Sequence, residues 1–101
     1  MEYSIIDEGA TKRVAFYGNI VASSSAKFLD IAAAMPKSEQ KKWCLDVSEF
    51  EYIDSAGLGM LIELSESAQK LGISLSLSGA NELVIKMIKL TKLDSLFEII
   101  E

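Results

Sequence analysis

The sequence predicts an α/β domain built on a mixed, mostly parallel sheet. Short strand-like segments are separated by segments whose apolar residues recur every three or four positions, as they do in helices. The first two strands are joined by a short polar link, which predicts an antiparallel hairpin at one edge of the sheet. With 101 residues, half of them apolar, we expect one domain over residues 1–101, with four to five strands and about four helices.

The N-terminal hairpin is expected from strands at residues 3–7 and 13–17. The residues between them are polar and include Gly9, which is typical of a tight connection. Gly18 and Asn19 then break the strand pattern.

The first helix is expected after the serines at 23–25, because a serine hydroxyl can accept a hydrogen bond from the free N–H groups of a first turn. Pro36 should end this helix, since a proline pushes the preceding residue, Met35, away from helical angles. Helical spacing predicts the residues that face the core: Phe28, Leu29, Ile31, Ala32 and Met35.

A third strand is expected at residues 43–47, and residues 48–53 connect it to a longer helix. That helix should run from about Ser55 to Leu71. Gly72 follows it at the position where a left-handed residue often ends a helix. The residues expected to face the core are Leu58, Leu61, Ile62, Ser65, Ala68 and Leu71.

Residues 74–78 alternate strictly between serine and leucine. As a strand, this segment places its leucines on one face and its serines on the other. A strand buried on both faces would be apolar throughout. We therefore expect helices to cover one face of this strand much better than the other.

The C-terminal part predicts two more helices and a strand. Asn81 can cap a helix over residues 82–90, and Thr91 can cap a short one over 92–96. Residues 97–100 are expected to close the sheet. The inward-leaning residues of the first of these helices are expected to be Leu83, Val84, Met87, Ile88 and Leu90.

Composition excludes several kinds of chemistry. The chain has no histidine and one cysteine, so a histidine general base, a catalytic triad, a histidine zinc site and an internal disulfide are all impossible. A net charge of −5 argues against nucleic-acid binding. No targeting segment or apolar run long enough to enter a membrane is visible. We expect a cytoplasmic protein with no catalytic residues, metal or cofactor.

The most specific stretch is Asp-Ser-Ala-Gly-Leu-Gly at residues 54–59, where a loop becomes a helix. A helix N-terminus presents unpaired N–H groups and a partial positive charge, and Asp54 or Ser55 can satisfy one of those donors. Gly57 and Gly59 remove side chains, so another backbone can come close. A serine at this point is exposed and suited to carry a phosphate.

Two plainer interpretations of this stretch stay open. In the first, the residues form only a capped helix whose glycines allow tight packing, although each glycine disfavours the helix by about 1 kcal/mol relative to alanine. Gly57-Leu58-Gly59 also begins like a dinucleotide fingerprint. Ile62 stands where its third glycine or alanine belongs, and no Gly-Lys-Ser or Gly-Lys-Thr is present.

The stretch SEFEYIDSAGLG at residues 48–59 resembles the signature of STAS domains, and more narrowly that of bacterial anti-sigma-factor antagonists. The resemblance covers nearly the whole chain. It includes GNI at 18–20, LDV at 45–47 and KLDSLFEII at 92–100.

The resemblance implies a phosphorylation switch at Ser55, because the residue after the signature aspartate is phosphorylated in that family. The modifying partner is a serine protein kinase, which is often also the anti-sigma factor, and a serine phosphatase reverses the reaction. The resemblance also implies that the unmodified protein binds the anti-sigma factor and so releases the sigma factor. The implied partner-binding residues are Asn19, Asp54, Ser55, Ala56, Gly57, Leu58 and Gly59.

Three residues depart from the family pattern. Ala56 replaces a second hydroxyl residue that many relatives carry, which leaves Ser55 as the only hydroxyl in the motif core. Asn19 and Val21 stand where many relatives have acidic residues that help to contact the kinase. These departures concern the contact with the partner and not the fold.

Two other functions are weighed against the antagonist. STAS-like domains also serve as small subunits or tails of membrane transporters, and the third hypothesis is a nucleotide-binding protein. Met60 and Leu64 are expected to be partner contacts or peripheral core. Lys86, Lys89 and Lys92 form a solvated face or a site for an anionic partner.

Overall fold

The computed structural model describes residues 1–49, 52–90 and 98–100. Within these residues the chain forms a five-stranded sheet in the order β1-β2-β3-β4-β5 and three α-helices. The elements are β1 (Glu2–Glu8), β2 (Thr11–Tyr17), α1 (Ser25–Ala34), β3 (Lys42–Glu49), α2 (Ser55–Lys70), β4 (Ser74–Ser78), α3 (Glu82–Leu90) and β5 (Glu98–Ile100).

The strand pairing confirms the predicted α/β fold. β1 and β2 pair antiparallel, with Glu8 opposite Thr11, so the turn between them is only Gly9 and Ala10. The remaining neighbours, from β2 to β5, all pair in parallel. Parallel neighbours need a crossover, and the three helices supply the connections that lie in the described part of the chain.

One face of the sheet carries the core. Val14, Leu45 and Leu77 lie side by side on adjacent strands and are fully buried. Phe16 stacks on Phe28 of α1 with ring centroids 5.6 Å apart, which joins this helix to the sheet. The alternating residues of each strand therefore place their apolar side chains under the helices.

The other face of the sheet is polar and open, as the serine alternation of β4 predicted. Arg13, Cys44 and Ser76 lie side by side on this face, on adjacent strands. The guanidinium of Arg13 lies 3.6 Å from a carboxylate oxygen of Asp46. The Cys44 thiol lies 3.4 Å from the hydroxyl oxygen of Ser78. Cys44 is thus a sheet residue and not part of the core.

Trp43 belongs to the covered face, at the start of β3. Its side chain is buried, and the indole N–H donates a hydrogen bond of 3.2 Å to the hydroxyl of Ser38. Ser38 directly follows the 3₁₀ turn Met35–Lys37, so this bond fastens the link between α1 and β3 to the sheet.

The predictions for α1 were partly wrong. Leu29 is 69% exposed, because the buried arc of the helix is narrower than its apolar pattern. Met35 keeps helical angles, since a 3₁₀ turn (Met35–Lys37) follows α1 and proline fits the first turn of a new helix. The hydroxyl of Ser24 accepts from the N–H of Val21 at 3.3 Å and does not cap α1.

The bounds of α2 agree closely with the prediction. Its last turn closes with hydrogen bonds from Gly72 N–H to the Gln69 carbonyl and from Ile73 N–H to the Ala68 carbonyl. Gly72 has φ +70°, which only glycine adopts without strain. For Met60 and Leu64 the sequence left two roles open, partner contact or peripheral core. Leu64 is buried, and Met60 packs partly against the core.

In α3 the predicted cap is confirmed, because the Asn81 side chain accepts a 2.9 Å hydrogen bond from the N–H of Val84. Leu83 and Leu90 were expected to lean inward, but both are exposed, while Val84 and Ile88 are buried. Lys86 and Lys89 lie on the exposed side. The expected helix at 92–96, with its Thr91 cap and Lys92, lies outside the described residues.

Candidate functional site

The start of α2 meets the loop that follows β2 at one edge of the sheet. The carboxyl ends of parallel strands share an edge, so residues 18–21 and 52–54 come together there. The N–H of Ile20 donates to the Tyr52 carbonyl and the N–H of Asp54 donates to the Ile20 carbonyl, both at 3.2 Å. Asn19, which is exposed, therefore belongs to the same surface as the 54–59 stretch.

Gly57 is the residue that lets these two segments approach. A Cβ built on Gly57 would lie 2.5 Å from the carbonyl oxygen of Ile20 and 2.7 Å from a side-chain carbon of Ile53. Real Cβ atoms essentially never come so close to other heavy atoms. The expected close approach of another backbone is thus present at Gly57, within the protein itself.

At Gly59, no contact within the described part of the protein requires a glycine. A Cβ at this position would meet no atom within 4 Å, so an alanine would fit in open space. Leu58, between the two glycines, is buried and belongs to the core cluster. Of the 54–59 stretch, Ser55 and Ala56 are exposed, while Asp54 and Gly59 are half-buried.

Asp54 is the N-cap of α2. Its backbone is extended, and its side chain accepts a 2.7 Å hydrogen bond from the N–H of Gly57. Such a bond satisfies one of the unpaired donors of the first turn. Ser55 follows as the first helical residue, and no hydrogen bond engages its hydroxyl within the part of the chain that the structure describes. The site thus combines an exposed hydroxyl with a neighbouring carboxylate.

The remaining electrostatics lie elsewhere in the molecule. Partial burial raises the pKa of Asp46, but hydrogen bonds from Ser48 and the charge of Arg13 outweigh it and hold this pKa below its usual value. The Lys27 ammonium lowers the pKa of Glu2.

Across residues 1–49, 52–90 and 98–100, no group of three or more residues suited to hold a metal ion occurs. No helix in these ranges is long and apolar enough to span a membrane.

Sequence reasoning found the motif but missed its internal partner. Ile20 and Ile53 form an isolated parallel bridge and are both fully buried under Gly57. A signal was present, because Ile20 and Val21 are consecutive apolar residues in the connection that follows β2. Tyr52, two residues before Asp54, has an exposed side chain and was also not predicted as a site residue.

The family model described as "Mlab, STAS domain" matches residues 6–100. The chain belongs to the STAS domain family. The predicted resemblance is thereby confirmed at the level of the family, and the match includes the whole 54–59 stretch.

Solved structures share the fold at low sequence identity. The STAS chain is 20% identical to an anti-sigma factor antagonist from Mycobacterium paratuberculosis, with a TM-score of 0.82 over 97% of this chain and 83% of the other. It is 11% identical to the Bacillus cell fate determinant SpoIIAA in the phosphorylated form, with a TM-score of 0.75 over 99% and 92%.

A transporter domain has the same fold. The STAS domain of a SulP transporter from Vibrio cholerae is 21% identical, with a TM-score of 0.70 over 84% of this chain and 70% of the other. Antagonists and transporter domains thus share one STAS architecture.

Proposed function

We propose that this STAS domain is an anti-sigma-factor antagonist, a cytoplasmic binding module switched by phosphorylation of Ser55. In its unmodified form it binds an anti-sigma factor that is also a serine protein kinase, and so regulates transcription or a related signalling output. A serine phosphatase restores the bound state. The observation that carries the proposal is the exposed, unengaged hydroxyl of Ser55 beside the carboxylate of Asp54.

The charge added by a phosphate supports such a switch. A phosphoserine carries about −1.5 to −2 charges at neutral pH. At position 55 this charge adjoins Asp54, whose carboxylate already accepts from the N–H of Gly57. The helix start therefore has less positive potential left to offset the phosphate. A 100-fold loss of affinity requires only about 2.8 kcal/mol, which repulsion and desolvation at a docking surface can supply.

The proposed docking surface consists of Asn19, Asp54, Ser55, Ala56 and Gly59. All five are at least partly accessible, and the two backbone hydrogen bonds of Ile20 hold both segments together. Gly59 disfavours the helix by about 1 kcal/mol relative to alanine, and no contact among the described residues requires a glycine there. A glycine at this position fits a surface that is flat so that a partner can bind. Gly57 and Leu58, which the sequence also suggested as contacts, are buried and act by shaping this surface.

A comparison of three baits tests the switch. Unmodified protein, Ser55→Asp and Ser74→Asp are used to capture proteins from the source cells, because Ser74 is an exposed serine at the opposite edge of the sheet. We expect a kinase-type partner to bind the unmodified and Ser74→Asp baits and to bind Ser55→Asp about 100-fold more weakly. Mass spectrometry after incubation with that kinase should find phosphate on Ser55. Phosphate at another residue, or equal binding to all three baits, contradicts the proposal.

A transporter subunit is the second candidate, and the shared fold of the SulP transporter STAS domain favours it. The family description, which names Mlab, does not restrict the family to antagonists. In this role the protein co-purifies with a transport ATPase, and Ser55→Ala leaves its action intact. Loss of regulation in Ser55→Ala separates the antagonist from this alternative.

Nucleotide binding at the start of α2 has little support. The carbonyl of Ile20 fills the space beside the Gly57 Cα that an approaching phosphate would need, and the Asp54 carboxylate already accepts from the Gly57 N–H. Titration with ATP and GTP is expected to give no saturable binding.

A further inference from the structure

We infer that the groove between α1 and α2 receives a basic amphipathic helix of the partner protein. The groove has a volume of about 200 Å³ and lies between the two helices. Among its lining residues, Phe28 and Leu64 are buried and Ala32 is half-buried, so these three form the apolar floor. Leu29 and Glu63 are exposed and form the rim together with the half-buried Met60. The inference rests on the proposed function, because it describes how the partner that covers Ser55 continues along the domain.

The first observation is the exposure of Leu29 at the rim of the groove. Leu29 is 69% exposed in the middle of α1, although the side chains next to it, Phe28 and Leu64, are almost completely buried. Met60 stands on the opposite rim and packs only partly on the core. An exposed leucine beside a buried apolar floor is the arrangement in which an inserted apolar side chain gains contacts on both sides.

The direction of the two helices makes the groove long enough for a helical partner. α1 connects β2 to β3 and α2 connects β3 to β4, and these strands all pair in parallel, so the two helices run in the same direction. The residues that line the groove extend from Ser25 to Ala32 on α1 and from Met60 to Ser67 on α2. Seven residues of α-helix span about 10 Å, or two turns. A partner helix can therefore place side chains at positions i and i+3 or i+4 into the groove.

The charge of the rim determines the chemistry of the partner. Glu63 is the charged residue that lines the groove, and Glu66 is exposed one turn further along α2. In residues 1–49, 52–90 and 98–100, Glu63 makes no ion pair within 4.0 Å. A helix with lysine or arginine beside its apolar stripe complements this rim. A second copy of this acidic chain would bring another Glu63 towards it.

The groove is continuous with the proposed docking surface. Met60 directly follows Gly59, and the rise from Ser55 to Met60 along a helix is about 7.5 Å. A partner that contacts Ser55, Ala56 and Gly59 thus reaches the groove without crossing any other element. Phosphorylation at Ser55 and the apolar groove would then act on the same bound helix, one through charge and the other through burial.

The test uses two synthetic 14-residue helical peptides with the same single leucine stripe, one with lysines and the other with glutamates elsewhere. Both are titrated into isotope-labelled protein at 0.1 M salt, on the order of physiological screening, and followed by NMR. We expect the lysine peptide to shift the methyl signals of Leu29, Ala32 and Met60 and the glutamate peptide to leave them unchanged. No shift at these methyl groups, or equal shifts with both peptides, overturns the inference.

Charge reversal distinguishes the groove from a general attraction to an acidic protein. Glu63→Lys should weaken binding of the lysine peptide about 10-fold, while the same change at the exposed Glu39 should weaken it less than about 2-fold. Equal losses of peptide affinity in the Glu63 and Glu39 variants contradict a binding site at the groove. Shifts of the Leu29 methyl groups that depend on protein concentration alone, without peptide, identify a second copy as the occupant and overturn the assignment to a partner.

The test of the groove can fail without a failure of the proposed function, and the reverse also holds. Phosphorylation of Ser55 and release of the captured kinase are measured on full proteins and do not depend on the peptides. If Ser55→Asp releases the kinase but Glu63→Lys binds it as well as the unmodified protein does, the groove fails while the switch stands. If Ser55 is never phosphorylated, the peptide titration still reports on the groove.

Discussion

The starts of α2 and α3 use the same capping device at the same edge of the sheet. Asp54 accepts from the N–H three residues later at 2.7 Å, and Asn81 does the same at 2.9 Å. Both caps satisfy a donor of the first helical turn. One cap is a carboxylate and the other a neutral amide, so the capping side chain itself is charged only at the start of α2.

Both starts also contain a glycine in close contact with a neighbouring segment. Gly57 touches Ile20, and Gly79 approaches Ser48 so closely that an added Cβ would lie 2.7 Å from the serine Cβ. Gly79 also has φ +76°, whereas Gly57 is helical. A cap and a packing glycine are therefore what a helix at this edge needs, and they do not by themselves indicate a function.

A further difference between the two starts lies in the first helical residue. α2 begins with Ser55, and α3 begins with Glu82, which carries a permanent negative charge next to its cap. The start of α3 thus shows that an acidic first residue is compatible with a helix start at this edge when the cap is neutral. The feature that α2 adds is a neutral hydroxyl that can acquire such a charge.

The largest expected effect is on the packing of α2 against the loop after β2. Gly57→Ala should lower the free energy of unfolding by about 2 to 3 kcal/mol, because the new Cβ overlaps the Ile20 carbonyl. Gly59→Ala is the matched control and should raise stability by up to about 1 kcal/mol, since its Cβ meets open space. Urea unfolding measures both. Equal effects at the two glycines would contradict the packing role of Gly57.

The two caps should contribute similar amounts. Asp54→Ala and Asn81→Ala are each expected to cost about 1 kcal/mol of folding stability, because each leaves an N–H of the first turn without its acceptor. Asp54→Asn keeps an acceptor and should recover most of the loss. Thermal unfolding of the three variants tests this, and no recovery by Asn would show that charge and not capping holds the start of α2.

A smaller effect concerns Ser48, which lies close to Gly79 just before α3. The N–H and hydroxyl of Ser48 donate to Asp46 at 3.0 and 2.7 Å, and these bonds hold the pKa of Asp46 below its ordinary value of 3.8. The ionised Asp46 therefore stabilises the fold above about pH 4, and this contribution disappears as the pH falls through the lowered pKa.

The predicted contribution is about 0.2 to 1 kcal/mol, in the range of partly exposed ion pairs. Asp46→Asn should reduce unfolding stability by this amount at pH 7 and by less at pH 3. Asp30→Asn, at an exposed position of α1, serves as the control and should show no such pH dependence. A constant difference between Asp46→Asn and the unmodified protein at all pH values would contradict the assignment.

The smallest expected effect on stability is at Ser55 itself. Ser55→Glu should change the free energy of unfolding by less than about 0.5 kcal/mol, because α3 tolerates Glu82 at the equivalent position and an acidic residue suits a helix N-terminus. Circular dichroism melts measure this. A strongly destabilised Ser55→Glu would mean that loss of binding in charged variants reflects unfolding and not a switch.

Much of the fold was predictable because local signals and packing agree. The alternation of residues 74–78 predicted the covered and open faces, and Asn81 and Gly72 marked helix ends that the structure confirms. Exposure was predicted less well, because Leu29, Leu83 and Leu90 fall at helical spacing but outside the arc that reaches the sheet. Periodicity defines a face of a helix, and only tertiary packing defines its width.

The site was predictable as a motif and not as a contact. The order Asp-Ser-Ala-Gly-Leu-Gly indicated a capped helix start with an exposed serine, and Asp54 caps as one of two candidates. That Gly57 would touch Ile20 required the pairing of β2 with β3, which no local pattern contains. Distant backbone contacts of this kind follow from topology.

Trp43 provides a built-in optical reporter. It is the single tryptophan of the chain and lies buried at the amino end of β3, whereas the proposed docking surface lies past the carboxyl end. Its emission should change when the domain unfolds and stay constant when a tryptophan-free partner docks near Ser55. Fluorescence can therefore separate loss of folding from loss of binding in every variant, without an added label.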